Sequence, residues 1–111
     1  MTERVLSEAG YLVTSVATGQ QALAEVRDRQ FDLLIIDLSL PDRDGLEVIR
    51  QIRAVSLAPR ILATSGFLVG HMRYVASSAG AAATLPKPTE PSVLLDTVYH
   101  LLDQSDVWRG R

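Results

Sequence analysis

Three residues with chemically useful side chains follow apolar runs in this 111-residue sequence: Asp37, Ser65 and Lys87. Asp37 follows "FDLLII", Thr64 and Ser65 end "RILATS", and Lys87 lies between two prolines after "AAATL". In open α/β sheets the carboxyl ends of the strands form one edge, where ligands bind. If the three runs are parallel strands, a carboxylate, hydroxyl groups and an ammonium group meet at that edge.

The elements that must position these residues are predicted by apolar runs alternating with helix-period segments. "FDLLIID" is continuous, as is typical of a parallel strand covered on both faces. Further strands are predicted at "YLVTSVA", which is rich in β-branched residues, at "PRILATS" and at "AAATL". Capping-box spacings at Thr18 and Gln21 and at Asp44 and Glu47 mark two helix starts, and the last helix begins near Pro91. The order α-β-α-β-α-β-α-β-α predicts an α/β fold with a doubly wound parallel sheet.

The composition excludes several classes of function. A formal net charge of −2 gives no field for nucleic acid binding, and the absence of cysteine excludes disulfides and thiol chemistry. Two isolated histidines do not build a zinc site. No apolar run is long enough to span a membrane, and the first residues do not resemble a signal peptide. We expect one cytoplasmic domain over residues 1–104, followed by a tail over residues 105–111.

The motifs "LLIIDLSLPDRDGLEVI", "ILATSG" and "LPKP", in this order, resemble those of response-regulator receiver domains, the phosphoacceptor part of two-component signalling. The intervals of 28 residues from Asp37 to Ser65 and 22 from Ser65 to Lys87 are similar to the family's. The resemblance extends from Met1 to about Leu102. It implies a flavodoxin-like receiver fold and a signalling function rather than an enzymatic one.

The resemblance also implies a role for each residue of the site. Asp37 would accept a phosphoryl group from a phosphohistidine on a histidine kinase or phosphotransfer protein. Ser65 and Thr64 would bind phosphoryl oxygens, and Lys87 would pair with the phosphoryl group or with Asp37. Asp37 and the backbone carbonyl of Ser39 would be ligands of Mg²⁺.

Two further positions concern signalling. The Lys87–Pro88 bond would be cis, as in the family. Thr84 stands at the switch position, where the family commonly has a Tyr or Phe that swings inward on activation, so an aromatic switch is not expected. The output face would be formed by the last two strands and the helix between them, and it would bind a downstream protein. We expect no DNA-binding domain and no membrane segment in the sequence.

The sequence departs from the family at its beginning. The family's first strand, and the two acidic residues at its end that hold Mg²⁺, have no counterpart here. In the family's strand order 2-1-3-4-5, the missing strand lies between those that correspond to "YLVTSVA" and "FDLLIID". Its loss opens a gap of about 9 to 10 Å between these neighbours. We therefore expect a receiver fold without its first strand, weak Mg²⁺ binding and slow phosphorylation.

Three outcomes are open for the gap. "YLVTSVA" moves over to pair with "FDLLIID", two chains form a homodimer through the exposed edges, or the sequence is a truncated form of a longer gene product. Two functions also stay open. Asp37, Ser65 and Lys87 favour a phosphoacceptor, whereas the missing acidic pair favours a pseudo-receiver, an interaction or dimerisation module that works without phosphorylation.

Overall fold

The computed structural model describes residues 2–66 and 70–109, which form five helices around a three-stranded parallel sheet with the order β1-β2-β3. The helices are α1 (Thr2–Glu8), α2 (Gly19–Asp28), α3 (Gly45–Val55), α4 (Gly70–Ala79) and α5 (Pro91–Arg109). The strands are β1 (Leu33–Asp37), β2 (Arg60–Ser65) and β3 (Ala83–Pro86). The predicted α/β fold with a parallel sheet is confirmed.

The strand register brings the carboxyl ends of the strands together. Asp37 pairs with Thr64 across β1 and β2, and Ser65 pairs with Pro86 across β2 and β3. The ladder continues one residue further, because the Leu38 N–H donates to the Thr64 carbonyl at 2.8 Å. Each strand therefore ends at the same edge of the sheet.

Two apolar clusters cover the faces of the sheet. On one face α3 contributes Val48, Ile49 and Ile52, all fully buried. On the other face, Leu6 of α1 and Leu94 of α5 belong to the second cluster. The central strand β2 is accordingly buried. The alternating pattern of strands and helices predicts this layering, because helices must connect parallel strands across either face.

Residues 11–17, predicted as a strand, are not part of the sheet, so that prediction is wrong. Tyr11 and Val13 are half-buried against the second cluster, while the Leu12 side chain between them is fully exposed. The side chains of this segment alternate between buried and exposed positions as in a strand, but no neighbouring strand forms hydrogen bonds with it. β-branched composition favours an extended backbone, but a strand exists only where another strand accepts its hydrogen bonds.

Helix α5 continues beyond the predicted end of the domain at residue 104, to Arg109. The division of the chain into a domain and a tail stays a prediction. Among the described residues, no helix combines the length and the apolar character needed to cross a membrane.

Candidate functional site

The Asp37 carboxylate lies at the carboxyl end of β1, and both of its oxygens have partners. Oδ1 accepts a hydrogen bond from the backbone N–H of Ser39 at 2.9 Å, and Oδ2 lies 2.5 Å from Nζ of Lys87. The Asp37 side chain is 31% exposed and that of Lys87 49% exposed, so the pair faces solvent. The geometry provides an oriented carboxylate beside a cation, accessible from outside.

The loop after β1 is held close to the strand by a tight approach of α3. The Gly45 N–H donates to the Leu38 carbonyl at 3.1 Å. A Cβ atom on Gly45 would lie 2.5 Å from Cα of Leu38 and 2.6 Å from the carbonyl oxygen of Asp37. Glycine is therefore required where the helix begins, and this contact fixes the backbone that carries Asp37.

The start of α3 is capped by Asp44, whose Oδ1 accepts a hydrogen bond from the Leu46 N–H at 3.0 Å. The predicted capping box is not formed, because Asp44 bonds to the N–H of Leu46 rather than to that of Glu47, and the Glu47 carboxylate lies 3.6 Å from the Arg50 guanidinium. The box at Thr18 and Gln21, by contrast, has both of its bonds. Asp44 is thus occupied as a helix cap.

Lys87 is directed to Asp37 by its backbone. Its N–H donates to the Ser65 carbonyl at 2.9 Å, which ties the loop after β3 to the end of β2. The Lys87–Pro88 peptide bond is cis. The Ser65 side chain is buried at the end of β2, and Thr64 beside Asp37 is half-buried. The structure therefore brings Asp37 and Lys87 into contact and places Thr64 and Ser65 on the neighbouring strand end.

Thr84 lies within β3, and its partner on α4 was not predicted. Arg73 Nη1 donates to the Thr84 hydroxyl at 2.9 Å and to its carbonyl at 3.3 Å. Thr84, which the sequence predicts as the switch position, is thus connected by hydrogen bonds to α4. No local pattern links residues eleven positions apart on different elements, so sequence reasoning had no signal for this contact.

Asp42 has a structural role that the sequence also did not predict. Its carboxylate accepts hydrogen bonds from the backbone N–H groups of Gly19 at 2.9 Å and Gln20 at 3.2 Å, at the start of α2. The Gly19 bond is the main reason that the pKa of Asp42 is lowered, and the nearby Arg43 adds to the effect. Asp42 is therefore engaged away from Asp37, as an anion at the N-terminus of a helix.

Comparison with known proteins identifies the family. A family model of the response regulator receiver domain matches residues 1–99. The chain belongs to this family. A CheY-like receiver domain protein from Methanospirillum hungatei JF-1 has a similar crystal structure, with a TM-score of 0.89 and 28% identity, over 95% of this chain and 84% of that chain.

Two curated relatives are much longer proteins. The transcriptional regulatory protein ZraR of Salmonella typhimurium is 34% identical over 93 residues, which cover 84% of this chain and 21% of that protein. The sensory/regulatory protein RpfC of Xanthomonas campestris is 29% identical over 103 residues, which cover 89% of this chain and 14% of that protein. This receiver therefore spans about a fifth or less of their length.

Receiver domains generally bind Mg²⁺ at the phosphorylation site, and the residues of this chain do not fit such a site well. Among the described residues, no group of three His, Cys, Asp or Glu side chains could hold a metal ion. Asp42 and Asp44 are engaged at helix N-termini. Asp37 and the Ser39 carbonyl supply too few oxygens for the near-octahedral coordination of Mg²⁺.

Proposed function

We propose that this receiver is the phosphoacceptor of a two-component phosphorelay and takes a phosphoryl group on Asp37 from a histidine kinase or phosphotransfer protein. The observation that carries the proposal is the contact between Lys87 Nζ and Asp37 Oδ2 at the solvent-exposed edge of the sheet. Family membership supports it, since receiver domains in general are signalling domains that interact with such donors.

In the proposed reaction an oxygen of Asp37 attacks the phosphorus of a phosphohistidine in line with the leaving imidazole. The new P–O bond gives an acyl phosphate, and the P–N bond breaks with its electron pair on the imidazole nitrogen, which takes up a proton. Lys87 neutralises charge on the equatorial oxygens, and the Ser65 and Thr64 hydroxyl groups bind them. We propose that Mg²⁺ binds weakly at Asp37 and the Ser39 carbonyl and that phosphorylation is correspondingly slow.

The proposed output is a protein contact made in the cytoplasm, without a DNA-binding activity in these residues. The face formed by α4, β3 and α5 carries the phosphorylation signal to a downstream protein. The hydrogen bonds from Arg73 to Thr84 support this assignment, because they couple α4 to the strand that precedes Lys87. With a threonine at position 84, the signal is a change in this polar contact rather than the movement of an aromatic ring.

A second candidate is a pseudo-receiver that binds a protein partner, or a second copy of itself, without phosphorylation. The absence of a three-residue metal group from the described part of the chain favours it. In that case the Asp37–Lys87 pair is a fixed part of the surface.

Intact-protein mass after incubation with a small phosphodonor and Mg²⁺ distinguishes the two. We expect one phosphoryl adduct on the wild-type chain and none on Asp37→Asn. Asp32→Asn, at the opposite end of the β1 region, is the matched control and should be labelled like the wild type. A folded wild-type chain that gains no adduct would support the pseudo-receiver instead.

A further inference from the structure

A cavity lies at the amino ends of β2 and β3, at the opposite end of the sheet from Asp37. Its volume is about 190 Å³, which is room for several water molecules or for a group of phosphate size. It is lined by the end of α3, the loop after it, the start of β2 and the residue before β3, namely Arg53, Leu57, Ala58, Pro59, Arg60 and Ala82. Leu57 is 81% exposed, so the cavity is open to solvent.

The lining of this cavity is positively charged. It contains two guanidinium groups, and none of its described residues is acidic. Neither Arg53 nor Arg60 takes part in the ion pairs that the described residues form. Asp32 bonds to Arg60 only through its backbone carbonyl, which accepts from the Arg60 N–H at 3.1 Å. Within the described ranges, the positive charge therefore has no carboxylate to balance it.

The Arg53 guanidinium is held in place by neutral backbone groups. Its Nε and Nη2 donate to the Gly80 carbonyl at 3.2 and 3.1 Å, and its Nη1 donates to the Ser56 carbonyl at 3.5 Å. Gly80 has a φ of +128°, and a Cβ atom there would lie 2.7 Å from Cγ of Arg53, so this close approach requires glycine. The carbonyls orient the guanidinium but leave its charge in place.

Both guanidinium groups lack what an anion would supply. The pKa of Arg53 is lowered, mainly by burial and also by the positive charge of Arg60. Nε of Arg60 is buried and has no hydrogen-bond partner among the residues that the structure describes. A buried donor without a partner is costly, so the free energy falls when the Arg60 side chain turns toward an acceptor in the cavity.

We propose that the cavity between Arg53 and Arg60 binds the phosphoryl group of a small phosphate monoester. A doubly charged anion matches two guanidinium groups, and its terminal oxygens accept hydrogen bonds from both. Arg60 donates through Nε, and Arg53 donates through N–H groups that the backbone carbonyls do not use. The organic part of the ester lies against Leu57. The ester is bound without reaction, at a site separate from Asp37.

Titration with phenyl phosphate, followed by heteronuclear NMR of the N–H groups at constant ionic strength, tests the proposal. We expect saturable shifts of the Arg60 Nε–H signal and of the Ala82 backbone N–H signal. Benzoate is the matched control, because it has the same ring but a singly charged carboxylate. It should bind at least about tenfold more weakly than phenyl phosphate.

Variants that each remove one positive charge test the site from the protein side. Arg60→Gln should fold, because Nε leaves no described partner behind, and should bind phenyl phosphate at least about tenfold more weakly. Arg50→Gln, on α3 but outside the cavity, and Lys87→Ala, beside Asp37, should bind like the wild type. If Arg60→Gln fails to fold by circular dichroism, Arg60→Lys decides; it keeps the charge, loses the planar fork and should also bind more weakly.

Three results would overturn the proposal. Wild-type affinity of Arg60→Gln would mean that its guanidinium does not bind the anion. Equal binding of benzoate would mean that the cavity does not select a phosphoryl group. Loss of binding in Lys87→Ala would mean that phenyl phosphate binds beside Asp37 instead.

Discussion

Lys87 is the only lysine in the sequence, and its contact with Asp37 lies at the surface of the protein. Exposed ion pairs add little to folding, so Lys87→Ala should change the free energy of unfolding by less than about 1 kcal/mol. Formation of the phosphoryl adduct should fall about 10²-fold, because charge on the transferring group loses its cation. The rate of adduct formation on Lys87→Arg should lie between those of the wild type and Lys87→Ala. Mass spectrometry measures the rate of adduct formation, and urea denaturation measures the free energy of unfolding. If Lys87→Ala is labelled as fast as the wild type, Lys87 takes no part in the reaction.

Asp42 makes stability depend on pH. The hydrogen bond from Gly19 lowers its pKa, so the ionised carboxylate stabilises the folded chain. This contribution is complete above 3.8, the ordinary pKa, and is lost as the pH falls below it through the lowered value. Asp42→Asn should therefore be less stable at neutral pH, and the difference in urea midpoint should narrow below 3.8. Asp32→Asn loses no bond to a backbone N–H, so its urea midpoint should depend on pH as that of the wild type does. If the midpoints of Asp42→Asn and the wild type differ by the same amount at every pH, the stabilising role of the Asp42 carboxylate is contradicted.

At the scale of elements, the position of α3 against the end of β1 decides where Asp37 points. Gly45→Ala would place a Cβ against backbone atoms of Asp37 and Leu38, which have little room to move. We expect a loss of about 1 to 3 kcal/mol in unfolding free energy and a lower rate of adduct formation.

Gly66→Ala is the control, since no atom of the described residues lies within 4 Å of the added Cβ. Chemical denaturation and adduct formation are measured on both variants. Wild-type stability of Gly45→Ala would show that the close approach of α3 is not required.

Patterns that act within one element were sufficient to predict most elements. The capping box at Thr18 needs only residues three positions apart, and the apolar stripe of α3 follows the helical period. The meeting of Asp37 with Lys87 was predictable because parallel strands end at one edge. The bond from Asp42 to Gly19, by contrast, joins loops 23 residues apart and leaves no periodic signal.

The segment over residues 11–17 shows why a strand cannot be predicted from its own residues alone. Its alternation is that of a strand, with Tyr11 and Val13 on the inner side. Hydrogen bonding, however, depends on a neighbour at the right distance, which is a property of the sheet. The family's strand order predicts that the strand next to residues 11–17 is missing. It does not predict that these residues therefore form no strand of their own.

At the scale of the whole molecule, the candidate site exists only in the folded chain, because Asp37 and Lys87 are 50 positions apart in the sequence. Their contact needs β1, β2 and β3 in register, with the Lys87 N–H bonded to the Ser65 carbonyl at the end of β2. We therefore expect the rate of phosphoryl adduct formation on the wild-type chain to fall over the same range of urea concentration in which the helical circular dichroism signal is lost. Adduct formation at an unchanged rate on the fully unfolded chain would mean that the folded site does not contribute to the reaction.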